Sequence, residues 1–306
     1  MNWQTNAAPV AHVEEECLSC GACVRACSRN NFSFDQSRKV RLAADAGSSC
    51  ILCGHCMAVC PQEGAILLSG QDGSALRKIS ELPSPEAVLN LLASRRSIRN
   101  FEDTPLATEQ IEALLDAARY APSGHNSQDY RFAVVLGRQS VGDIGRAVLK
   151  FYKRILGLLD TRAGSGMVRL AAGKKTYGVL KVMESRLRQH VKAGKEHGQV
   201  HLVWDAPCLI FIHGPDRDDS KTNSILAGYN IMLAAHSMGL GTCVLGLLRG
   251  GIKHAKKEME QAGVTIPKGH AIHMILCAGV PKNSIKFLKI PPRNLPGAYF
   301  AGKPQP

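Results

Sequence analysis

The sequence predicts an α+β protein with two domains, a small amino-terminal domain and a larger mixed α/β domain. Eight of the eleven cysteines fall within the first 60 of the 306 residues. A stretch rich in turn-forming residues then follows, and the remaining residues alternate between helix-like and strand-like segments. These amount to about 225 residues, enough for one enzyme domain with its own core. We place the two domains at residues 1–80 and 81–306.

The eight cysteines form two copies of one spacing, C-x2-C-x2-C-x3-C, that begin 33 residues apart. A cubane [4Fe–4S] cluster needs four converging thiolates, of which a C-x2-C-x2-C loop supplies three. In the two-cluster pattern the fourth cysteine of each run ligates the other cluster. The predicted ligand sets are therefore Cys17, Cys20, Cys23 with Cys60, and Cys50, Cys53, Cys56 with Cys27.

Zinc and disulfide bonds are the alternatives for these cysteines. Zinc sites usually use separated C-x2-C pairs, and disulfide scaffolds belong to small secreted chains, so neither predicts this duplication. The chain begins without the charged start and apolar run of a signal peptide, which makes a reducing cytoplasm the expected location. The other three cysteines, Cys208, Cys243 and Cys277, lie in apolar runs and are expected to act as small hydrophobic residues.

The cysteine runs, with Gly21 and Gly54 in matching places, resemble the bacterial two-cluster ferredoxins over roughly residues 10–70. The copies differ because Pro61 follows the second run whereas Ser28 follows the first. We expect a strand at residues 66–68 to close this domain. A domain this short has little apolar core, so the clusters themselves are expected to hold it folded. Electron transfer is its expected task.

The formal net charge of +13 invites a nucleic-acid interpretation. That count treats the cluster cysteines as neutral, whereas each oxidised four-thiolate cluster contributes about −2. We therefore predict no nucleic-acid partner. No window offers the eighteen or more uncharged apolar residues of a membrane span, so none is predicted.

Turn-forming residues mark the boundary between the domains at residues 70–74, and prolines follow at residues 82–85. Ser84 is the expected N-cap of a helix over residues 85–92, with an apolar face of Val88, Leu91 and Leu92. A second helix is expected after Thr108 and ends before Pro122. Strands are predicted at residues 132–136, 209–213 and 270–278. Within the predicted helix 222–239, one apolar stripe indicates core or dimer packing; its residues are Ile225, Leu226, Tyr229, Met232, Leu233 and His236.

Two polar segments flank the second of these helices. Residues 95–101 place three arginines and a serine within five positions, and in an extended chain Arg95, Ser97 and Arg99 project to one side, as a dianionic phosphate requires. Taken alone, the run fits a solvated helix end better, and only the following segment favours a phosphate site. Residues 121–128 are small and amide-bearing, with the chemistry to hydrogen-bond a polar heteroaromatic edge.

Together with the glycine-rich residues 239–246 and a basic, proline-rich tail, these segments resemble the FMN-dependent nitroreductase family, and specifically its members fused to a ferredoxin, over about residues 85–295. The resemblance implies a flavin at the interface of a homodimer. By the same resemblance, the residues that hold the phosphate are Arg95, Ser97, Arg99 and Arg293, and Arg96 contributes nearby. The loop contacts, from the partner subunit, are Pro122, Ser123, Gly124, Asn126 and Gln128. Leu245 and Gly246 would lie beside the reactive ring edge.

Two regions give a less specific prediction, the chain at residues 129–130 and the chain at residues 150–200. The family's loop commonly continues Asn-x-Gln-Pro-Trp, but Asp129 and Tyr130 stand here, which adds a charge and a backbone N–H. Residues 150–200 contain twelve Lys or Arg against three acidic residues and many glycines. They indicate either a flexible cover over the cleft that attracts an anionic substrate or an acidic donor, or a solvated helical surface.

The implied reaction joins one-electron and two-electron chemistry. Electrons would pass from an external low-potential donor such as a ferredoxin or flavodoxin, through the two clusters, to FMN and then to a small organic acceptor, first of all a nitro compound. The alternatives are reductive dehalogenation or flavin-dependent dehydrogenation on the same fold, and a carrier or redox sensor that acts on a protein partner. No acid or base catalyst is identifiable.

Overall fold

The computed structural model describes residues 9–69, 71, 76–196, 201–282 and 287–294, without the side chains of residues 195 and 196. The predicted linker at residues 70–74 falls outside them except for Gln71. The chain forms two compact units. The first contains the described residues up to Leu82 together with Pro122–Gln128, and the second contains Pro83–Ala121 and the described residues from Asp129 onward. Sequence patterning gave no sign that Pro122–Gln128 would group with the first unit.

The first unit consists of short elements joined by the cysteine loops. In chain order they are β1 (Val10–His12), α1 (Ala22–Ala26), β2 (Phe32–Phe34), β3 (Val40–Leu42), α2 (Ala46–Ser49), α3 (His55–Val59) and β4 (Ile66–Leu68). β1 pairs antiparallel with β4, and β2 pairs antiparallel with β3. The predicted strand at residues 66–68 is thus confirmed, and it closes the unit by pairing with the beginning of the described chain.

The second unit is built on a four-stranded antiparallel sheet with strand order β5-β6-β8-β7. Its elements are α4 (Pro85–Ser94), α5 (Thr108–Arg119), β5 (Arg131–Leu136), α6 (Arg138–Leu159), α7 (Arg162–Glu196), β6 (Cys208–Pro215), α8 (Asp218–Ser237), β7 (Gly241–Val244), α9 (Gly246–Gly251), α10 (Lys256–Gln261) and β8 (His270–Gly279). The three predicted strands are confirmed with slightly wider bounds.

Helices cover both faces of this sheet. Alternate residues of β6 point to opposite sides, so Ile210 and Ile212 pack against α5 and α8 while Leu209 and Phe211 pack against α6. All four are fully buried. This explains why β6 reads as a continuous apolar run rather than an alternating one, and it confirms the mixed α and β class.

The apolar face predicted for the first helix of the second unit is not a core face. Ser84 does cap α4, because its hydroxyl accepts a hydrogen bond from the Ala87 N–H at 3.2 Å. However, Val88 and Leu92 are each 39% exposed, and no residue of α4 is buried. Helical periodicity reveals an apolar stripe but does not say what covers it.

The stripe predicted on α8 for core or dimer packing is only partly a core face, because Met232 is buried, and its dimer-packing alternative stays a prediction. Ile225 and Tyr229 are exposed, whereas Ala227 and Ile231 are fully buried against the sheet. Small residues decide which side faces the sheet, because a Cβ on Gly228 would lie 2.4 Å from the Met274 Sδ. The helix backbone at Gly228 therefore packs directly against the sheet, and Ile225 and Tyr229 lie on the exposed side of α8.

The described residues among 150–200 are helical except for a turn at Asp160 and Thr161. They complete α6 and form α7, which contains a break at Gly173, where φ is 76°. Residues 197–200 lie outside the described part of the chain. None of the helices in the described ranges combines the length and the apolar character needed to cross a membrane.

Candidate functional site

The first four-cysteine set surrounds one cavity of the first unit. Cys17, Cys20, Cys23 and Cys60 line it, three from the first cysteine run and the fourth from the residue that ends α3. The second set, Cys50, Cys53, Cys56 and Cys27, lines another cavity in the same way. Each cavity thus groups the same four cysteines as one of the predicted ligand sets.

In each of the two cysteine loops, residues 17–20 of the first run and residues 50–53 of the second, a backbone N–H group points at a cysteine sulfur. Ser19 N donates to Cys17 Sγ at 3.3 Å, and Leu52 N donates to Cys50 Sγ at 3.4 Å. Both donors have φ 53°, in the left-handed region, so the two copies share one loop shape. N–H groups that point at sulfur stabilise a thiolate and tune the potential of a cluster. The donor set therefore fits iron–sulfur ligation.

Burial alone does not favour thiolates here. It raises the pKa of Cys56 to about 11 and also raises the pKa of Cys23. Because cluster ligands must be deprotonated, binding of the metal would have to stabilise these two charges in an apolar environment.

The predicted phosphate segment, residues 95–101, lies extended along the edge of the sheet in the second unit. Ser97 forms a parallel bridge with Thr242 of β7, and the Ile98 N–H donates to the Thr242 carbonyl at 3.0 Å. A Cβ on Gly241 would lie 2.7 Å from the Ile98 Cβ, so glycine is required at this approach. The structure thereby brings together two segments that are more than 130 residues apart in sequence.

A cavity of about 220 Å³ opens beside this segment. Its lining residues are Ser94, Arg95, Arg96, Ile98, His236, Gly239, Leu240, Thr242, Pro281 and Phe287. Arg95 Nε is buried and has no hydrogen-bond partner among the described residues. An unpaired buried guanidinium nitrogen is costly, and a bound anion would satisfy it. The cavity therefore fits the phosphate end of a nucleotide.

Aromatic residues near the phosphate segment gave no signal in the sequence. The Arg99 guanidinium lies over the Trp204 ring, 5.6 Å from its centroid, and Trp204 stacks on His201 with ring centroids 5.2 Å apart. His190 of α7 contacts the same ring edge to face, at 5.6 Å. Single aromatic residues after a long helix carry no periodic or motif signal, so only the tertiary structure identifies this cluster.

Cys243 is another residue whose surroundings were not predictable. It is buried, as expected for a small hydrophobic residue. A hydrogen bond with the Cys277 thiol lowers the pKa of Cys243 to about 7, and Arg99 and Ser97 act in the same direction against the effect of burial. The phosphate segment therefore contributes to the electrostatics of a thiol in β7.

The loop Pro122–Gln128 has a backbone shape that few residues adopt. His125, Asn126 and Gln128 all have positive φ, at 52°, 53° and 41°. The Asn126 side chain donates to two carbonyls of the second cysteine loop, those of Ile51 and Leu52, at 3.1 and 2.9 Å. Ser123 Oγ accepts from the Gln128 N–H at 3.1 Å and closes the loop.

Asp129, which departs from the family's usual loop sequence, has its charge paired within the second unit. Its carboxylate accepts hydrogen bonds from Arg217 at 2.8 Å and Asn223 at 3.0 Å. Burial raises its pKa, but the bonds from Asn223, Arg217 and Ser220 outweigh this effect and lower it. The added charge is thus paired.

The remaining predicted flavin residues show different degrees of exposure. Leu245 packs its side chain in the core, whereas Gly246 is exposed, and a Cβ there would have no atom within 4 Å. Pro122, Gly124 and Arg293 are exposed. Open space at Gly246 leaves room for a ligand, and these contacts stay predictions.

Comparisons with known proteins agree with the two units. Residues 92–280 match the Nitroreductase family, and residues 16–64 match the 4Fe-4S dicluster domain. A protein of Archaeoglobus fulgidus with the provisional name NADH dehydrogenase/NAD(P)H nitroreductase is 39% identical over 203 residues, which are 66% of this chain and 90% of that protein. The nitrobenzene nitroreductase of Ectopseudomonas oleovorans is 38% identical over 56 residues, 18% of this chain, and the chain spans only 25% of that relative.

Among solved structures, a nitroreductase with bound FMN from Bacteroides fragilis is similar in fold, with a TM-score of 0.51 and 18% sequence identity. The match covers 70% of this chain and 98% of that one. The family match extends over more than half of the 306 residues, and its Archaeoglobus relative is covered almost entirely. The chain therefore belongs to the nitroreductase family of oxidoreductases and carries a 4Fe-4S dicluster domain in its first unit.

Proposed function

We infer that the protein uses two [4Fe–4S] clusters and FMN to reduce a small organic acceptor, most directly a nitro compound. One observation carries this inference. A single chain contains two cavities lined by four cysteines each and a nitroreductase-family unit with a cationic cavity. This cavity is lined by Arg95, whose buried Nε has no hydrogen-bond partner in the described part of the chain.

The chain's residues divide into four groups by the cofactor part they would hold. The ligands of the first cluster are Cys17, Cys20, Cys23 and Cys60, and those of the second are Cys50, Cys53, Cys56 and Cys27. The FMN phosphate would pair with Arg95, Arg96, Ser97, Arg99 and Arg293. Leu245 and Gly246 would lie beside the ring of the same flavin, and the loop of the partner subunit would contribute the equivalents of Pro122, Ser123, Gly124, Asn126 and Gln128.

When bound, the clusters supply one-electron transfer and FMN supplies the link to two-electron reduction of the acceptor. The protein's contribution is to bind and to position. Arg95 and Arg96 provide positive charge beside the cavity, and Gly241 lets the backbone of Ile98 approach β7 so that these charges are held in place. Backbone N–H groups of Ser19 and Leu52 direct dipoles at the cluster sulfurs.

The relatives support a nitro compound as the acceptor, because several of them are named as nitroreductases, among them a chloronitrobenzene nitroreductase. Some of these names include NAD(P)H as the reductant. In this chain a dicluster domain stands beside the nitroreductase unit, which favours a low-potential one-electron protein donor, with NAD(P)H as the second reductant to test.

An anaerobic experiment tests the proposal. Protein purified without oxygen is expected to contain about eight irons, an equal amount of acid-labile sulfide and one FMN per chain. After photochemical reduction, a panel of nitroaromatic compounds is added and the flavin absorbance followed. Substrate-dependent return of the oxidised spectrum supports the proposed reaction.

Two results would contradict it. Protein that holds neither iron–sulfur clusters nor flavin has no relay. Protein that is fully loaded and reducible but is never reoxidised by any small acceptor would instead be an electron carrier for a protein partner.

A further inference from the structure

The two cysteine loops have the same shape but different neighbours. In the first loop Leu18 is 63% exposed, and the Ser19 hydroxyl accepts from the Val40 N–H at 3.4 Å. In the second loop the equivalent Ile51 is partly buried, and its carbonyl and that of Leu52 accept from Asn126. One loop faces solvent, and the other is covered by the segment Pro122–Gln128.

Hydrogen bonds form a short path from the second cluster's ligands into that segment. Leu52 N donates to Cys50 Sγ at 3.4 Å, and the carbonyl of the same Leu52 accepts from Asn126 Nδ2 at 2.9 Å. Asn126 Oδ1 in turn accepts from Gln128 Nε2 at 3.1 Å. Cys50 Sγ is thus connected to Asn126 through Leu52 alone, by one hydrogen bond on each side of that residue.

Gln71 and Arg29 make further contacts beside the bonds from Asn126. Gln71 Nε2 donates to the Leu52 carbonyl at 2.8 Å, beside the bond from Asn126. Arg29 Nη2 donates to His125 Nδ1 at 3.1 Å. Arg29 lies two residues after Cys27, which lines the cavity of the second cysteine set. The bonds from Arg29 and Asn126 fix a segment in which His125 and Asn126 have positive φ, a conformation that costs on the order of 1 kcal/mol per residue in a free chain.

We propose that the cavity of Cys50, Cys53, Cys56 and Cys27 holds the cluster that exchanges electrons with the flavin. Asn126 is the positioning residue that connects the second cysteine loop to the segment Pro122–Gln128. This rests on the proposed function, in which Pro122–Gln128 contacts the flavin. The cavity of Cys17, Cys20, Cys23 and Cys60, beside the exposed Leu18, then holds the cluster that the external one-electron donor reduces. Two successive one-electron transfers and two protons from water complete each two-electron reduction.

Asn126→Leu tests the connection, because leucine has a similar size but no donor. Asn230→Leu is the matched control, since Asn230 Nδ2 makes an equivalent bond to the Ala117 carbonyl at 3.1 Å within the second unit. Redox titration followed by electron paramagnetic resonance gives the potentials of the two clusters. A Cys53→Ser variant identifies the second cluster's signal, because an oxygen ligand changes its spectrum. We expect N126L to shift that signal's potential and N230L to shift neither.

Anaerobic stopped-flow mixing with a low-potential donor provides the second readout. Flavin bleaching in N126L should be slower by at least about tenfold, because small losses of position have large effects on rate. If N126L does not retain its iron, Asn126→Asp replaces it, and the redox titration alone decides. An N126L or N126D protein with unchanged potentials, or with a shift only in the other cluster, overturns this inference. Wild-type protein whose flavin is not reduced through the clusters at all overturns the proposed function instead.

Discussion

Cysteine has opposite roles in the two units of this protein. In the first unit cysteines take part in the core itself, which combines Cys23 and Cys56 with apolar residues from strands of only three residues. In the second unit Cys208 and Cys277 lie fully buried in a sheet covered on both faces. Burial raises the pKa of Cys208 to about 12, so this thiol stays neutral and acts as a small hydrophobic residue.

The comparison shows that the two units depend on their cofactors to different degrees. A unit with a small core and eight cysteines that face two cavities requires ligation to be stable, because binding free energy becomes folding free energy. A sheet packed between helices obtains its stability from apolar burial. The cofactor of the second unit is therefore expected to add function without being needed for the fold.

Removal of iron provides the strongest test of this difference. Treatment with an oxidant and a chelator should abolish the amide protection of residues 9–69 in hydrogen–deuterium exchange, because cluster ligation supplies most of that unit's stability. The β6 and β8 segments should keep their protection. Equal loss in both units would contradict the comparison.

Arg95→Ala should weaken FMN binding without unfolding the second unit. Loss of a charged hydrogen bond costs about 1.5 to 3 kcal/mol, which is roughly a tenfold to hundredfold increase in Kd. Titration of the flavin-free protein with FMN measures this. Arg119→Ala is the control, since Arg119 is a largely exposed residue paired with Asp116. Unchanged FMN affinity in R95A would remove this arginine from the phosphate site.

Gly241→Ala should destabilise the second unit by about 1 to 3 kcal/mol, because the new methyl group would overlap Ile98 in a packed interface. Gly246→Ala is the matched substitution five residues on, where a Cβ meets no atom, and should change stability by less than about 0.5 kcal/mol. Urea unfolding followed by Trp204 fluorescence, in a Trp3→Phe background, measures both. Equal effects would show that the close approach at Gly241 is not required.

The stability of the second unit should fall by about 2 kcal/mol as the pH decreases from 6.5 towards 4. Burial, with help from His270, Arg131 and His273, lowers the pKa of His213 from 6.5 to about 4. The unfolded chain therefore binds a proton in this range that the folded chain does not, and stability is fully present only above the higher value. His213→Gln should reduce the pH dependence in the same urea experiment, and an unchanged slope would exclude His213 as its source.

Interpretation from sequence succeeded where spacing has a local chemical meaning. The cysteine runs, the N-cap Ser84 and the apolar run of β6 each require only nearby residues to be understood. It was incomplete for the stripe on α8 and for the apolar face of α4, where the pattern was visible but the element that covers it was not. Ile225 and Tyr229 have the apolar character of core residues, yet Gly228 brings the other side of the helix to the sheet.

By itself, the sequence determined the two cysteine sets, the order of the two units and the arginine-rich segment, because each is a fixed spacing along the chain. Only the tertiary structure decided that Thr242 pairs with Ser97, that Trp204 lies under Arg99, and that Asn126 covers one cysteine loop but not its copy. The physical reason is that these contacts join segments far apart in the chain through single hydrogen bonds and ring contacts. Such contacts leave no periodicity in the sequence, and they arise only when the backbone is folded.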